Sequence, residues 1–147
     1  MNRVAGLLAV AIALVVGSFA RADATADDWK KLAGTWKVEA AVLNGDDATA
    51  RFKEAVLTIE EGKYNVAFAG MTDAGTLALE PAKKPRQMTI TGTDGPSKGK
   101  TIPAIYEIDG DALKICYTLG GGKDAPTEFK STAENKSLLV TYKRDKK

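Results

Sequence analysis

The chain has 147 residues, 44% of them hydrophobic, with 21 Lys+Arg against 19 Asp+Glu, one cysteine and no histidine. That length supports one domain with its own core. The near-neutral balance argues against nucleic acid as a partner, which calls for a basic excess. The missing histidine removes the commonest general base and metal ligand together.

The first stretch reads as an address. Met1-Asn2-Arg3 gives a short positive start, and Val4 to Ala20 is apolar or small throughout. Ala20-Arg21-Ala22 and Ala22-Asp23-Ala24 each offer small residues at the spacing a signal peptidase reads. Residues 1–22 are therefore expected to be a cleaved signal peptide, with cleavage at Ala20, Ala22 or Ala24. The expected location is the periplasm or the outside of the cell, with no stable membrane insertion after cleavage. An uncleaved anchor is the alternative, since the apolar run is only slightly short of a membrane span. Cleavage after Ala22 removes Arg3 and Arg21, leaving 19 basic against 19 acidic residues in a domain spanning 23–147.

After the leader, "ADDWKKLAG" suits about one and a half helical turns. Asp27 is the candidate N-cap, Gly34 the residue past the end, and Trp29, Leu32 and Ala33 share one side. From Thr35 the pattern has period two, as expected of strands wet on one face and buried on the other. "TWKVEAAV" turns Trp36, Val38 and Ala40 inward. "KYNVAFA" turns Tyr64, Val66 and Phe68 inward, "QMTITG" Met88 and Ile90, "IPAIYEI" Tyr106 and Ile108, and "LKICY" Leu113, Ile115 and Tyr117. "SLLVTYK" closes the chain. A short helix is possible in "DATARFKEA", 47–55. The stretches "TIEEGKYNV" and "IYEIDGDALKI" are hairpins by length and turn chemistry.

About eight or nine short antiparallel strands at this spacing imply a sandwich or a barrel. Short hairpin connections favour an all-β meander closed into a barrel. Closure also removes the exposed edges of a sheet that no internal disulfide can brace. Cys116, the lone cysteine, reads as a packed thiol in a strand. The terminal "YKRDKK" reads as a solvated tail.

A helical turn followed by Gly34-x-Trp36 at the start of the first strand resembles the opening of lipocalin and calycin barrels. The resemblance implies that the tryptophan packs across the closed end and that a basic side chain near the last strand, Arg144 or Lys143, lies over it. Trp29, Gly34, Trp36 and Arg144 are the residues expected at that closed end. "GTWKV" is also similar to the start of intracellular fatty-acid-binding proteins. Here, though, the segment 44–54 is too short for a two-helix lid, and Tyr142-Lys143-Arg144 replaces the Arg-x-Tyr that grips a carboxylate. The broadest resemblance, over almost all of 23–147, is to an uncharacterised lipocalin-like secreted domain abundant in planctomycete bacteria. "LAGTWKV", "GPSKGKTIPAIYEIDGDALKICY" and "PTEF" carry it. It implies a fold and export, and no activity.

Catalytic chemistry finds little support. One cysteine and no histidine argue strongly against a zinc or copper site. Ser97, Ser131 and Ser137 sit at turns or strand ends with no base in view. "GPSKGKT" has three residues between its glycines where a phosphate loop has four, and a strand follows it instead of a helix. Asp109-Gly110-Asp111 is a tight turn, with too few carboxylates for calcium. Asn135-Lys136-Ser137 is a glycosylation sequon, read as chance. Neither an enzyme nor a bound cofactor is expected. Trp36, Tyr64, Phe68, Met88, Tyr106, Tyr117 and Phe129 are expected to converge on the interior. An eight-stranded barrel holds either a filled core or one small ligand. Binding of a small apolar molecule is the expected role. The alternative is a structural or protein-interaction module of the cell envelope with a filled core.

Overall fold

The computed structural model describes residues 24–146. The expected signal peptide, 1–22, lies outside the described residues. Of the three cleavage positions only Ala24 is described, and it is exposed and helical. Among the described residues no helix is long and apolar enough to cross a membrane.

Nine strands follow one another in a single antiparallel sheet. They are β1 (Gly34–Leu43), β2 (Asp46–Asp47), β3 (Val56–Glu60), β4 (Lys63–Phe68), β5 (Met71–Glu80), β6 (Gln87–Asp94), β7 (Thr101–Asp109), β8 (Ala112–Thr118) and β9 (Ser137–Arg144). Each strand from β3 on pairs with its sequence neighbour, and β9 returns to pair with β1. The meander is thus an eight-stranded closed barrel, with the two-residue β2 appended to β1. Closure is the general remedy for open sheet edges, and the fold expected from the alternation is the fold found.

Two helical pieces complete the chain. Helix α1 covers 24–32, and α2 (Thr49–Phe52) bridges β2 and β3. Asp27 lies inside α1 and is therefore not its N-cap. Gly34 follows the helix as expected, with φ of +130°, and a Cβ there would stand 2.8 Å from Arg144 Nη1. The backbone conformation favours glycine at this position, and an added side chain would also have to displace the Arg144 guanidinium.

Strand β1 departs from strict alternation. Trp36 and Val38 are buried, but Ala41 is buried in place of the expected Ala40. The pairing with β9 slips between Val38 and Ala40, so one extra residue, Glu39, reverses the inward set. This is the behaviour of a β-bulge. No strand was expected over 71–80. Its alternation of Leu77 and Leu79 is preceded by small residues, Ala74 and Gly75, where the pairing with β6 also shifts.

The two ends of the barrel differ. Connections at 61–62, 81–86 and 110–111, together with α1, sit at one end, the floor. The segments 44–55, 69–70, 95–100 and 119–136 sit at the other. The last of these is the exception to the short hairpins. It crosses the outside of β8, where Cys116 and its partner Ile105 point away from the core and are nevertheless fully buried. Cys116 Sγ donates to the Lys130 carbonyl at 3.6 Å, and burial pushes its thiol pKa up. The packed thiol is as expected, although it is packed from outside.

The floor and the calyx: a candidate ligand site

The floor is built around the end of α1. A helix leaves its last carbonyls without partners, and here side chains from the barrel supply them. Trp36 Nε1 donates to the Leu32 carbonyl at 2.9 Å. Arg144 donates through Nη1 to the Ala33 carbonyl at 2.8 Å and through Nη2 to that of Lys31. The Arg144 guanidinium also lies 4.2 Å from the Trp36 ring centre, within cation–π range. Trp36 and Leu32 are wholly buried, and Trp29 packs beside them. Trp29, Gly34, Trp36 and Arg144 thus meet at the closed end as expected, and of the two basic candidates it is Arg144 that covers the tryptophan. The chain end is docked and not frayed as far as 146. Asp145 N–H donates to the Thr35 carbonyl at 2.8 Å, and Lys146 pairs with Asp111 at 2.6 Å.

Beside this stack lies a polar knot that the sequence reading missed. Asp28 on α1 is 3% exposed. It accepts a 2.6 Å hydrogen bond from the Tyr106 hydroxyl and pairs with Arg86 at 3.4 Å. Burial, then the bond to Asp28, pushes the Tyr106 hydroxyl well above the usual tyrosine range. The visible signal is an Asp among amphipathic helical residues facing a tyrosine-bearing strand. Only the fold supplies the pairing, over 78 residues of sequence.

Above the floor the interior is not filled. A cavity of about 300 Å³ runs between apolar side chains, among them Val38, Leu57, Ile59, Leu77, Met88, Ile90, Ile115 and Val140. Of the seven residues expected to converge on the interior, Tyr64, Met88 and Tyr117 line this cavity. Trp36 and Tyr106 belong to the core around the floor. Phe68 stands at the opposite end, in a hollow of about 180 Å³ with Phe52, Met71 and Pro96. This hollow shares Phe52, Ala55, Val66 and Asp73 with the cavity and so marks its mouth. Met71 is 56% exposed there. Phe129 is not interior. It lies in the 119–136 segment on the outer wall, beside Pro85, Arg86 and Glu107. A strand would have carried it inward, and the sequence gives no turn signal strong enough to distinguish the two.

Polar groups reach the cavity at two places. Asp73 faces inward because it stands opposite Val66 and shares the parity of the buried Gly75 and Leu77 on β5. Its Oδ2 accepts the Tyr64 hydroxyl at 3.3 Å, and its Oδ1 accepts the Ser97 N–H at 2.9 Å. Burial, then the charge of Asp73, pushes Tyr64 up to about 12. Ser97 belongs to the expected hairpin loop "GPSKGKT", which folds back so tightly that a Cβ on Gly92 would lie 2.0 Å from the Ser97 carbonyl oxygen. Elsewhere in the wall, the hydroxyls of Tyr117 and Tyr142 share one 2.7 Å hydrogen bond. Burial pushes both tyrosines up, Tyr142 to about 12.

The other expected chemistry resolves into structure. Asn135 organises the turn before β9, its Oδ1 accepting from Thr132 N–H at 2.8 Å and Ser137 N–H at 3.2 Å. Ser131 is buried and donates to the Ser137 carbonyl at 2.6 Å. Gly110 turns between β7 and β8 with φ of +59°. Neither a protein-family model nor a curated protein matches this chain.

Proposed function

We propose that the chain is an exported, non-catalytic binding module of the lipocalin-like secreted type that resembles those of planctomycete bacteria, holding one small apolar molecule in its calyx. The observation that carries this reading is the cavity of about 300 Å³, walled mostly by apolar side chains, in a barrel whose other end is closed by the Trp36 floor. Its size falls at the lower edge of small-molecule sites, which run from roughly 300 to 1,000 Å³ and combine apolar walls with a few polar groups. The mouth is edged by Phe52, Phe68 and Met71, apolar surface that a hydrophobic compound meets before it enters.

Calorimetric titration with 1-octanol tests the reading directly, alongside native mass spectrometry of protein purified from its own host. A saturable one-to-one complex is expected. Leu138→Phe, which enlarges a half-buried residue of the cavity wall, is expected to weaken it at least several-fold while leaving the barrel folded. Absence of binding by any apolar probe, with repeated ligand-free spectra, overturns the proposal and favours an envelope module that acts through its outer surface.

A further inference from the structure

Asp73 is unusual among the groups of the calyx. A carboxylate offers about four acceptor positions, and the protein fills two of them, with Ser97 N–H and the Tyr64 hydroxyl. Among the described residues no lysine or arginine pairs with it. It nevertheless stands in the wall of a mostly apolar cavity, whose other polar groups are the hydroxyls of Tyr64, Tyr117 and Tyr142 and Ser97. A carboxylate taken partly out of water is costly unless cations or donors complete its shell.

A second observation concerns who donates to it. The Tyr64 bond is long at 3.3 Å, against a typical length near 2.7 Å for a hydroxyl donor. Asp73 thus has no cation partner among the described residues, and its hydroxyl partner is a long one. Three residues from the 69–70 turn, it stands where the cavity meets the mouth hollow.

Resting on the binding reading above, we propose that Asp73 selects the ligand: the calyx takes apolar molecules whose head donates a hydrogen bond, an amine or a hydroxyl, and rejects those headed by a carboxylate. An ammonium or hydroxyl head donates to the carboxylate. A carboxylate head brings a second negative charge against Asp73 and carries no donor. Overall charge does not supply this preference, since residues 23–147 hold 19 basic against 19 acidic residues.

Three probes with the same tail separate the outcomes: octylamine, 1-octanol and octanoate, titrated by calorimetry into the wild type and into Asp73→Asn. The asparagine keeps an oxygen acceptor for Ser97 N–H and removes the charge. The expected result is that octylamine and octanol bind about tenfold or more tightly than octanoate, the range set by a hydrogen bond to a charged group. In Asp73→Asn that preference is expected to shrink severalfold, mostly by a gain for octanoate. Equal binding of all three to the wild type overturns the role of Asp73 and leaves the binding module standing. So does a preference that survives Asp73→Asn unchanged. No binding of any of the three overturns the binding module itself. Thermal melting of both proteins checks that Asp73→Asn is folded.

Discussion

At the scale of single residues the floor concentrates the most energy in the fewest side chains. Trp36 is wholly buried, bonds the Leu32 carbonyl and lies under Arg144. Trp36→Ala removes a large buried ring, a change that typically costs about 3–5 kcal/mol. It also frees a helix carbonyl and strands the guanidinium stacked above it. Denaturant unfolding of the variant is expected to show that loss, and a cost well under about 1 kcal/mol would mean that the stack contributes little. Trp36 was legible in the sequence because Gly34-x-Trp36 places it at a strand start, after a residue that must accept positive φ. Asp28 and Asp73 were not legible. Each is a single acidic residue whose meaning comes from a partner on another element, Tyr106 for one and Tyr64 for the other. Asp73 shares the parity of the buried Gly75 and Leu77 on β5, but the small and polar residues of 72–76 carry no apolar alternation from which an inward face could be read.

Among the elements, the loop between β6 and β7 shapes the mouth. Gly92 N–H donates to the Lys100 carbonyl, and Gly99 N–H donates to the Gly92 carbonyl, each at 3.0 Å. The chain folds back on its own strand and delivers Ser97 to the cavity wall. An added methyl at Gly92 meets a backbone oxygen, which cannot rotate away as a side chain would. Gly92→Ala is therefore expected to destabilise the barrel by about 1–3 kcal/mol, as overpacking does. It is also expected to lift Ser97 from Asp73. Backbone amide shifts confined to 92–100 and to the Asp73 region, in an NMR comparison with the wild type, check the second part. Unchanged shifts there would contradict the close approach. The strands themselves were readable from period-two alternation, and both hairpins fell where turn chemistry put them. The bulge at Glu39 was invisible, since Ala40 and Ala41 are equally apolar and only the pairing with β9 decides which is inside. Phe129 misled for the opposite reason. It is a large aromatic ring whose burial is satisfied on the outer wall, against a loop and not in the core.

For the whole molecule, the distribution of tyrosines sets a response to alkali. The chain has four tyrosines, and all four have pKa values raised in the fold, chiefly by burial. In the unfolded chain tyrosine ionises near 10. Below that pH both states are protonated and the tyrosines do not change stability with pH. Above it the unfolded chain loses protons that the folded barrel keeps, so stability falls as pH rises from about 10 towards the folded values, about 12 for Tyr64 and Tyr142. A buried tyrosine displaced by about two units accounts for about 2–3 kcal/mol of that loss. Tyrosinate absorbance and unfolding are therefore expected to rise together in one alkaline transition. Stepwise titration of tyrosines in a still-folded barrel would show that they are open to solvent.

The sealed floor has one more effect on what the barrel can hold. Trp36 is fixed from both sides, by the helix carbonyl it bonds and by the arginine above it, so the floor beneath the cavity is closed. If the barrel binds as proposed, with the head of the ligand on Asp73, the depth between that carboxylate and the floor acts as a ruler: a short tail leaves part of it empty, and a long one must double back or pull its head off the carboxylate. Across a homologous series of amines, affinity is then expected to climb with each added methylene up to one chain length and to turn down beyond it.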